Sequence, residues 1–133
     1  MEIMADSNII LDIATEDPNW FEWSSQTVAF YAETHIFIIN PIIYSEVSIG
    51  FENMGDTDAI FPSEYFHRIP IPYEAAFLAG KCFLEYRRRG GQRRSPLPDF
   101  FIGAHAVIMQ IPLITRDVQR YRTYFPELQI ITP

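Results

Sequence analysis

The sequence predicts an α/β fold with three layers, in which helices cover both faces of a central parallel sheet of four to five short strands. Short apolar segments alternate with longer segments of helical periodicity along the chain, and this alternation is typical of parallel strands joined by helical connections. Hydrophobic residues make up 48% of the 133 residues, and no linker, repeat or low-complexity tract divides them. We therefore expect a single domain over residues 1–133 with a substantial core.

Two strands and two helices are predicted in the first part of the chain: strands over residues 3–6 and 36–39, and helices over residues 19–34 and 41–51. The second helix has the clearest start, because Asn40 can cap it and Pro41 suits its first turn. A polar break over residues 55–62 surrounds a short segment that can form a helix.

The second part begins with residues 67–71, where Pro70 allows an edge strand at best. The elements predicted after it are helices over residues 73–89, 98–110 and 117–124, and strands over residues 112–115 and 128–131. The first of these helices is expected to turn inward Ala76, Phe77, Gly80, Phe83 and Leu84. The second is apolar almost all round, so it should be deeply buried, with His105 as a core histidine.

Four acidic residues lie at or near the ends of these elements. Asp6 and Asp117 fall at or just past the carboxyl ends of two strands, Asp99 opens a helix, and Glu46 lies inside another. The carboxyl ends of parallel strands form the ligand-binding edge of such sheets, and a helix N-terminus favours a negative charge. Clustered carboxylates repel one another unless a cation pairs with them, and Mg²⁺ and Mn²⁺ prefer such oxygen ligands. The placement predicts one acidic site that binds divalent metal.

The order of these motifs resembles the PIN domain and, within it, the VapC-type ribonuclease toxins. The resemblance is carried by Asp6-Ser7-Asn8 after the first strand, Glu46 inside a helix, Pro98-Asp99 opening a helix, and Thr115-Arg116-Asp117 after a late strand. It covers the whole chain, and residues 97–117 are its most specific part. It implies a Mg²⁺- or Mn²⁺-dependent endoribonuclease that hydrolyses RNA phosphodiester bonds, acting as the toxin of a toxin–antitoxin pair.

The resemblance also implies roles for individual residues. The acids that match the catalytic positions of the family are Asp6, Glu46, Asp99 and Asp117, and three of these, Asp6, Asp99 and Asp117, match metal ligands. Asn8 and Thr115 match polar positions that support the site. The implied partners are an RNA substrate, a cognate antitoxin whose C-terminal segment lies across the site, and a second copy in a homodimer. Aromatic residues of the first predicted helix, Trp20, Phe21, Trp23 and Tyr31, could line the antitoxin groove.

The uneven charge of the chain bears on RNA binding. A net charge of −7 repels RNA unless some surface is locally positive. Five arginines lie between residues 87 and 94. We predict RNA contacts from Arg87, Arg93, Arg94 and Arg116; alternatively, the arginine-rich stretch only solubilises a helix end.

Purely structural roles for the acids, and other functions for the chain, stay open as alternatives. Each acid alone could be a turn former or a helix-start charge, and the chain could be a catalytically inactive PIN-fold module that binds RNA or a protein. A phospho-receiver domain fits poorly, because Lys81, the only lysine, lies within a helix. A haloacid-dehalogenase phosphatase would need a second aspartate where Asn8 stands. The apolar runs are shorter than the ~18 residues of a membrane span, and no signal peptide is evident, so we expect a cytoplasmic protein.

Overall fold

A computed structural model describes residues 1–91 and 96–133, and within them five parallel strands form one sheet in the order β3-β2-β1-β4-β5. The strands are β1 (Glu2–Ala5), β2 (Ile36–Ile39), β3 (Phe66–Arg68), β4 (Leu113–Ile114) and β5 (Ile130–Ile131). The helices that flank the sheet are α1 (Ser7–Ala14), α2 (Phe21–Ala32), α3 (Pro41–Ser48), α4 (Met54–Ile60), α5 (Tyr73–Arg88), α6 (Leu97–Met109) and α7 (Val118–Tyr124). The predicted α/β fold is confirmed.

The centre of the sheet is covered on both faces. Ile3, Met4 and Ala5 are consecutive residues of β1 whose side chains alternate between the faces, and all three are fully buried. In β2, Phe37, Ile38 and Ile39 are equally enclosed. The predicted edge strand is confirmed as β3, which pairs with β2 and ends before the prolines.

The structure contains one helix that the sequence patterns did not predict. Asp6 directly follows β1 and caps α1, since its Oδ1 accepts a hydrogen bond of 2.7 Å from the backbone N–H of Ser7. The polar residues Ser7 and Asn8 are typical of a turn, but Ile9 and Ile10 behind them are buried and anchor the helix to the core. Strand β1 is therefore joined to α1 by Asp6 alone, with no loop between them.

The predicted inner face of α5 is wrong at Phe77, Gly80 and Leu84, whereas Phe83 is partly buried against the core as predicted. The residues buried on this helix are Ala75, Ala79 and Cys82, whereas Phe77 is 68% and Leu84 43% exposed. The small side chains face inward because α5 packs against α6, and small residues let two helices approach closely. Phe77 and Leu84 are left on the outer face.

Helix α6 is buried as predicted, and His105 is confirmed as a core histidine. Its Nδ1 lies 3.1 Å from Nδ2 of Asn40, whose Oδ1 accepts a 2.9 Å hydrogen bond from the backbone N–H of Ile43 and so caps α3. Burial lowers the pKa of His105. This contact joins the start of α3 to the middle of α6, the two helices that carry Glu46 and Asp99.

Within residues 1–91 and 96–133, we find no helix with the length and apolar character that crossing a membrane requires.

Candidate metal centre

Asp6 lies at the carboxyl edge of the sheet, between β1 and β4. Its backbone N–H donates to the carbonyl of Ile114 at 3.0 Å, which fixes the residue at the strand junction. Its Oδ2 accepts hydrogen bonds from the hydroxyl groups of Thr115, at 2.8 Å, and Tyr121, at 2.9 Å. The side chain is thus held in one orientation, with only 2% of the residue exposed.

The environment of Asp6 disfavours its charge. Burial is the main reason that its pKa is raised from 3.8 to about 6, and the negative charges of Asp99 and Glu46 raise it further. The hydrogen bonds from Thr115 and Tyr121 stabilise the carboxylate and oppose this rise. Asp6 is therefore a buried carboxylate that faces two other acids.

Glu46 reaches the same edge from α3. Its Oε1 accepts a 2.9 Å hydrogen bond from the hydroxyl of Ser7, the first residue of α1. Burial raises the pKa of Glu46, and the charge of Asp99 raises it further, while the bond from Ser7 opposes the rise. Glu46 is thus coupled to both of the other acids in this group.

Asp99 stands in the first turn of α6, as predicted. Its Oδ2 accepts a 2.6 Å charge-assisted hydrogen bond from Nη1 of Arg120. Burial raises the pKa of Asp99, the bond and positive charge of Arg120 lower it, and the negative charge of Asp117 raises it. Asp117 itself precedes α7 and makes no side-chain capping bond to that helix. The structure thus brings Asp6, Glu46 and Asp99 together, with Asp117 beside Asp99.

The two predicted supporting residues belong to one network around the hydroxyl of Thr115. That hydroxyl donates to Asp6 and accepts from Nδ2 of Asn8 at 3.3 Å and from the backbone N–H of Asp117 at 3.1 Å. Asn8 also accepts from the backbone N–H of Arg116 at 3.4 Å. The network ties the start of α1 to the loop that carries Asp117.

The side chain of Arg116 pairs with Asp12, which is not part of this network. Its Nε and Nη2 form a bidentate ion pair with Asp12 at 2.7 and 2.9 Å, and its guanidinium lies 5.1 Å from the centre of the Trp20 ring. Buried Asp12 also accepts a 2.7 Å hydrogen bond from Ser24. An RNA contact by Arg116 would have to compete with this ion pair.

One further predicted RNA contact, Arg87, lies in the last turn of α5. Arg87 is exposed, with its guanidinium 5.9 Å from the centre of the Phe83 ring. Arg93 and Arg94 lie outside the described residues. RNA binding by these arginines stays a prediction.

Three residues at the site were missed by the sequence reasoning: Ser7, Arg120 and Tyr121. Ser7 lies between Asp6 and Asn8 in the motif after the first strand, and no role was predicted for it. Arg120 and Tyr121 follow Asp117 by three and four positions, a spacing that places side chains on one side of a helix. That spacing was the signal available, since the segment after Asp117 was predicted to be helical.

The donor set fits a hard divalent cation, but the side chains do not yet form a complete coordination shell. Carboxylate oxygens are the ligands that Mg²⁺ and Mn²⁺ prefer. A cation here would also offset the burial and mutual repulsion that raise the pKa of Asp6. As the side chains of residues 1–91 and 96–133 stand, however, no three acidic, histidine or cysteine groups are arranged to hold a metal ion. Asp6 and Glu46 are hydrogen-bonded to hydroxyls, and Asp99 is paired with Arg120.

Comparisons with known proteins find solved structures with a similar fold. No protein-family model and no curated protein matches the sequence. A chain in the VapBC-1 structure from nontypeable Haemophilus influenzae is 20% identical, with a TM-score of 0.73, and the match covers 99% of this chain and 98% of that one. A chain in VapBC2 from Rickettsia felis, bound to a DNA fragment from the promoter, is 16% identical, with a TM-score of 0.72 and the same coverage of both chains.

A toxin–antitoxin complex from Klebsiella pneumoniae gives a third match at 22% identity and a TM-score of 0.69, over 98% of this chain and 97% of that one. At these identities the likeness shows the fold. The chain has the PIN-like fold found in VapBC toxin–antitoxin complexes, as the sequence predicted.

Proposed function

We propose that this protein is a Mg²⁺- or Mn²⁺-dependent endoribonuclease that hydrolyses RNA phosphodiester bonds and is the toxin of a VapBC-type pair. The observation that carries the proposal is the buried carboxylate of Asp6, which faces the charges of Glu46 and Asp99 at the carboxyl edge of the sheet. Burial of like charges is costly unless a cation compensates it, and the fold is one found in toxin–antitoxin complexes.

The residues that would hold the metal are Asp6, Asp99 and Asp117, with Glu46 completing the acidic site. A divalent cation supplies two things to such a reaction: it activates a water molecule and neutralises charge that develops on the phosphate oxygens. The chain contributes the orientation of its carboxylates. The Thr115 hydroxyl bonds both Oδ2 of Asp6 and the backbone N–H of Asp117, so the backbone of Asp117 is held in a fixed relation to the Asp6 carboxylate.

The experiment that tests the proposal is a cleavage assay on labelled RNA with Mg²⁺ or Mn²⁺ and with excess chelator. We expect cleavage only with metal, and its loss in Asp99→Asn. Asp56→Asn is the matched control, because Asp56 is an exposed acid in the first turn of α4 and should leave cleavage unchanged. Undiminished cleavage in chelator or by Asp99→Asn would contradict the mechanism, whereas RNA binding without cleavage would favour the inactive binding module.

The antitoxin is proposed to bind an apolar groove beside α2. The groove has a volume of about 560 Å³ and is lined by small and aromatic residues of several elements, among them Val28, Ala29, Ala32, Tyr65 and Phe66. The aromatic residues predicted for this role are mostly engaged elsewhere: Trp23 and Tyr31 pack against the core, and Trp20 lies against Arg116. Co-expression with a candidate antitoxin tests the proposal: Ala29→Arg should weaken complex formation, while Met54→Arg on α4 should not.

A homodimer is the second assembly that we propose. Helix α5 leaves an apolar face uncovered, on which Tyr73 is 91%, Phe77 68% and Leu84 43% exposed. Such a face is stabilised when a second apolar surface covers it. Sedimentation should show a dimer that Phe77→Asp disrupts, and an unchanged dimer in that variant would place the interface elsewhere.

A further inference from the structure

Arg120 brings a positive charge of this chain into its own acidic site. It lies on α7, and its Nη1 donates to Oδ2 of Asp99 at 2.6 Å, with 35% of the Arg120 side chain and 22% of the Asp99 side chain exposed. The other ion pairs within residues 1–91 and 96–133 involve Asp12, Asp58 and Glu85. In that part of the chain, Asp6, Glu46 and Asp117 therefore form no ion pair.

The position of Arg120 conflicts with a full metal shell. Asp99 is one of the acids that would hold a divalent ion. One of its two carboxylate oxygens, Oδ2, already accepts a hydrogen bond from the Arg120 guanidinium. The arginine also provides the positive charge that a metal would otherwise provide. This accounts for an acidic site whose carboxylates are not arranged around a common point.

The Arg120 side chain can also separate from Asp99 without a movement of α7. Its neighbour Tyr121 is fully buried and donates to Asp6, so α7 is fixed to the site by that residue. The Arg120 side chain is long and partly exposed, and it can reach water without moving the helix. Tyr121 thus anchors α7 to the site, whereas Arg120 carries a positive charge that can turn toward solvent.

We propose that Arg120 is a counter-cation built into the acidic site, which pairs with Asp99 in the metal-free protein and releases that carboxylate when a divalent ion binds. The inference rests on the proposed metal-dependent function. It makes Arg120 a residue that sets metal affinity by competition, in contrast to Thr115 and Tyr121, which position Asp6.

The test is calorimetric titration of the full chain with Mn²⁺. Arg120→Gln removes the competing charge, and we expect it to bind Mn²⁺ on the order of tenfold more tightly, which corresponds to about 1.4 kcal/mol. The matched control is Arg122→Gln, which removes the same charge from an exposed position on the same helix and should bind like the parent. In chelator, Arg120→Gln should also melt at a lower temperature than Arg122→Gln, because Asp99 loses its partner.

Arg120→Lys keeps the test decisive if the glutamine variant does not fold. An ammonium group is a more strongly hydrated point charge than a guanidinium and has a shorter reach, so it should hold Asp99 less well and also let Mn²⁺ bind more tightly than in the parent. Equal or weaker Mn²⁺ binding by the folded Arg120 variants would overturn the inference while leaving the metal site in place. Absence of Mn²⁺ binding by the parent would overturn the proposed function and this inference together.

Discussion

Replacing Asp6 with asparagine should stabilise the metal-free protein at neutral and alkaline pH. The pKa of Asp6 is raised from 3.8 to about 6 in the folded protein, chiefly by burial and additionally by the charges of Asp99 and Glu46. A carboxyl group with a raised pKa costs stability at pH values above the folded pKa, and the cost disappears as the pH falls below the unfolded value. The shift corresponds to a penalty of about 3 kcal/mol at pH 8.

Asparagine removes the charge but not the helix cap. Its side-chain oxygen can still accept from the backbone N–H of Ser7, and asparagine caps helices as well as aspartate does. Its amide group would face the hydroxyls of Thr115 and Tyr121, which now donate to Asp6. One hydrogen bond in this group is then lost, at a cost of about 1 kcal/mol. The expected net gain at pH 8 is therefore about 2 kcal/mol.

Denaturant unfolding in chelator, repeated from pH 8 to pH 4, measures this gain. The advantage of Asp6→Asn should be full at pH 8, decline as the pH falls through 6, vanish at about pH 4.5 and reverse at lower pH, where the charge penalty no longer exceeds the cost of the lost hydrogen bond. Asp12→Asn is the control, because Asp12 is as buried as Asp6 but is paired with Arg116, so its replacement should destabilise the protein at pH 8. The reasoning is refuted if Asp6→Asn is no more stable than the parent at pH 8, or if its advantage does not change with pH.

Three further predictions concern one hydrogen bond at the site and the packing around two glycines. Tyr121→Phe removes a hydroxyl that donates to Asp6, so it should lower the free energy of unfolding by about 1–2 kcal/mol and weaken Mn²⁺ binding in a titration; unchanged binding would exclude a positioning role. Gly103→Ala would bring a Cβ atom into the ring of Phe125 and should cost about 1–3 kcal/mol in denaturant unfolding. Gly80 lies on α5, and a Cβ atom there would have no neighbouring atom within 4 Å. Gly80→Ala should therefore raise the free energy of unfolding by about 0.5–1 kcal/mol.

The sheet and most helices could be predicted because their signals are local. Apolar runs mark β1, β2 and β4, and Asn40 followed by Pro41 marks the start of α3. Helix α1 was missed because Ser7 and Asn8 are typical of a turn, and the role of Asp6 as a helix cap depends on where β1 ends.

The orientation of α5 could not be predicted from its sequence. Two stripes on this helix fit a helical period, one of small residues that includes Ala75 and Ala79 and one of large residues that includes Phe77 and Leu84. The choice between them depends on how closely α6 approaches, which is a property of the packed pair of helices.

The candidate site could also be predicted only in part. The acids could be placed at one edge because strand ends and helix starts follow from the sequence pattern. The contacts of Arg120 with Asp99 and of Tyr121 with Asp6 depend on the angle at which α7 crosses the site. No local pattern specifies that angle, so the residues that set the charge balance of the site were found only in the structure.

A crystal of the protein grown with Mn²⁺ and measured for anomalous scattering tests the central claim most directly. We predict an anomalous peak at the carboxyl edge of the sheet, with carboxylate oxygens of Asp6 and Asp99 at ~2 Å and the Arg120 guanidinium withdrawn from Asp99. The same crystal of the Asp6→Asn and Asp99→Asn double variant should lack the peak. The account would be contradicted if a parent crystal grown with saturating Mn²⁺ showed no anomalous peak at this edge, or showed manganese bound only at other acids.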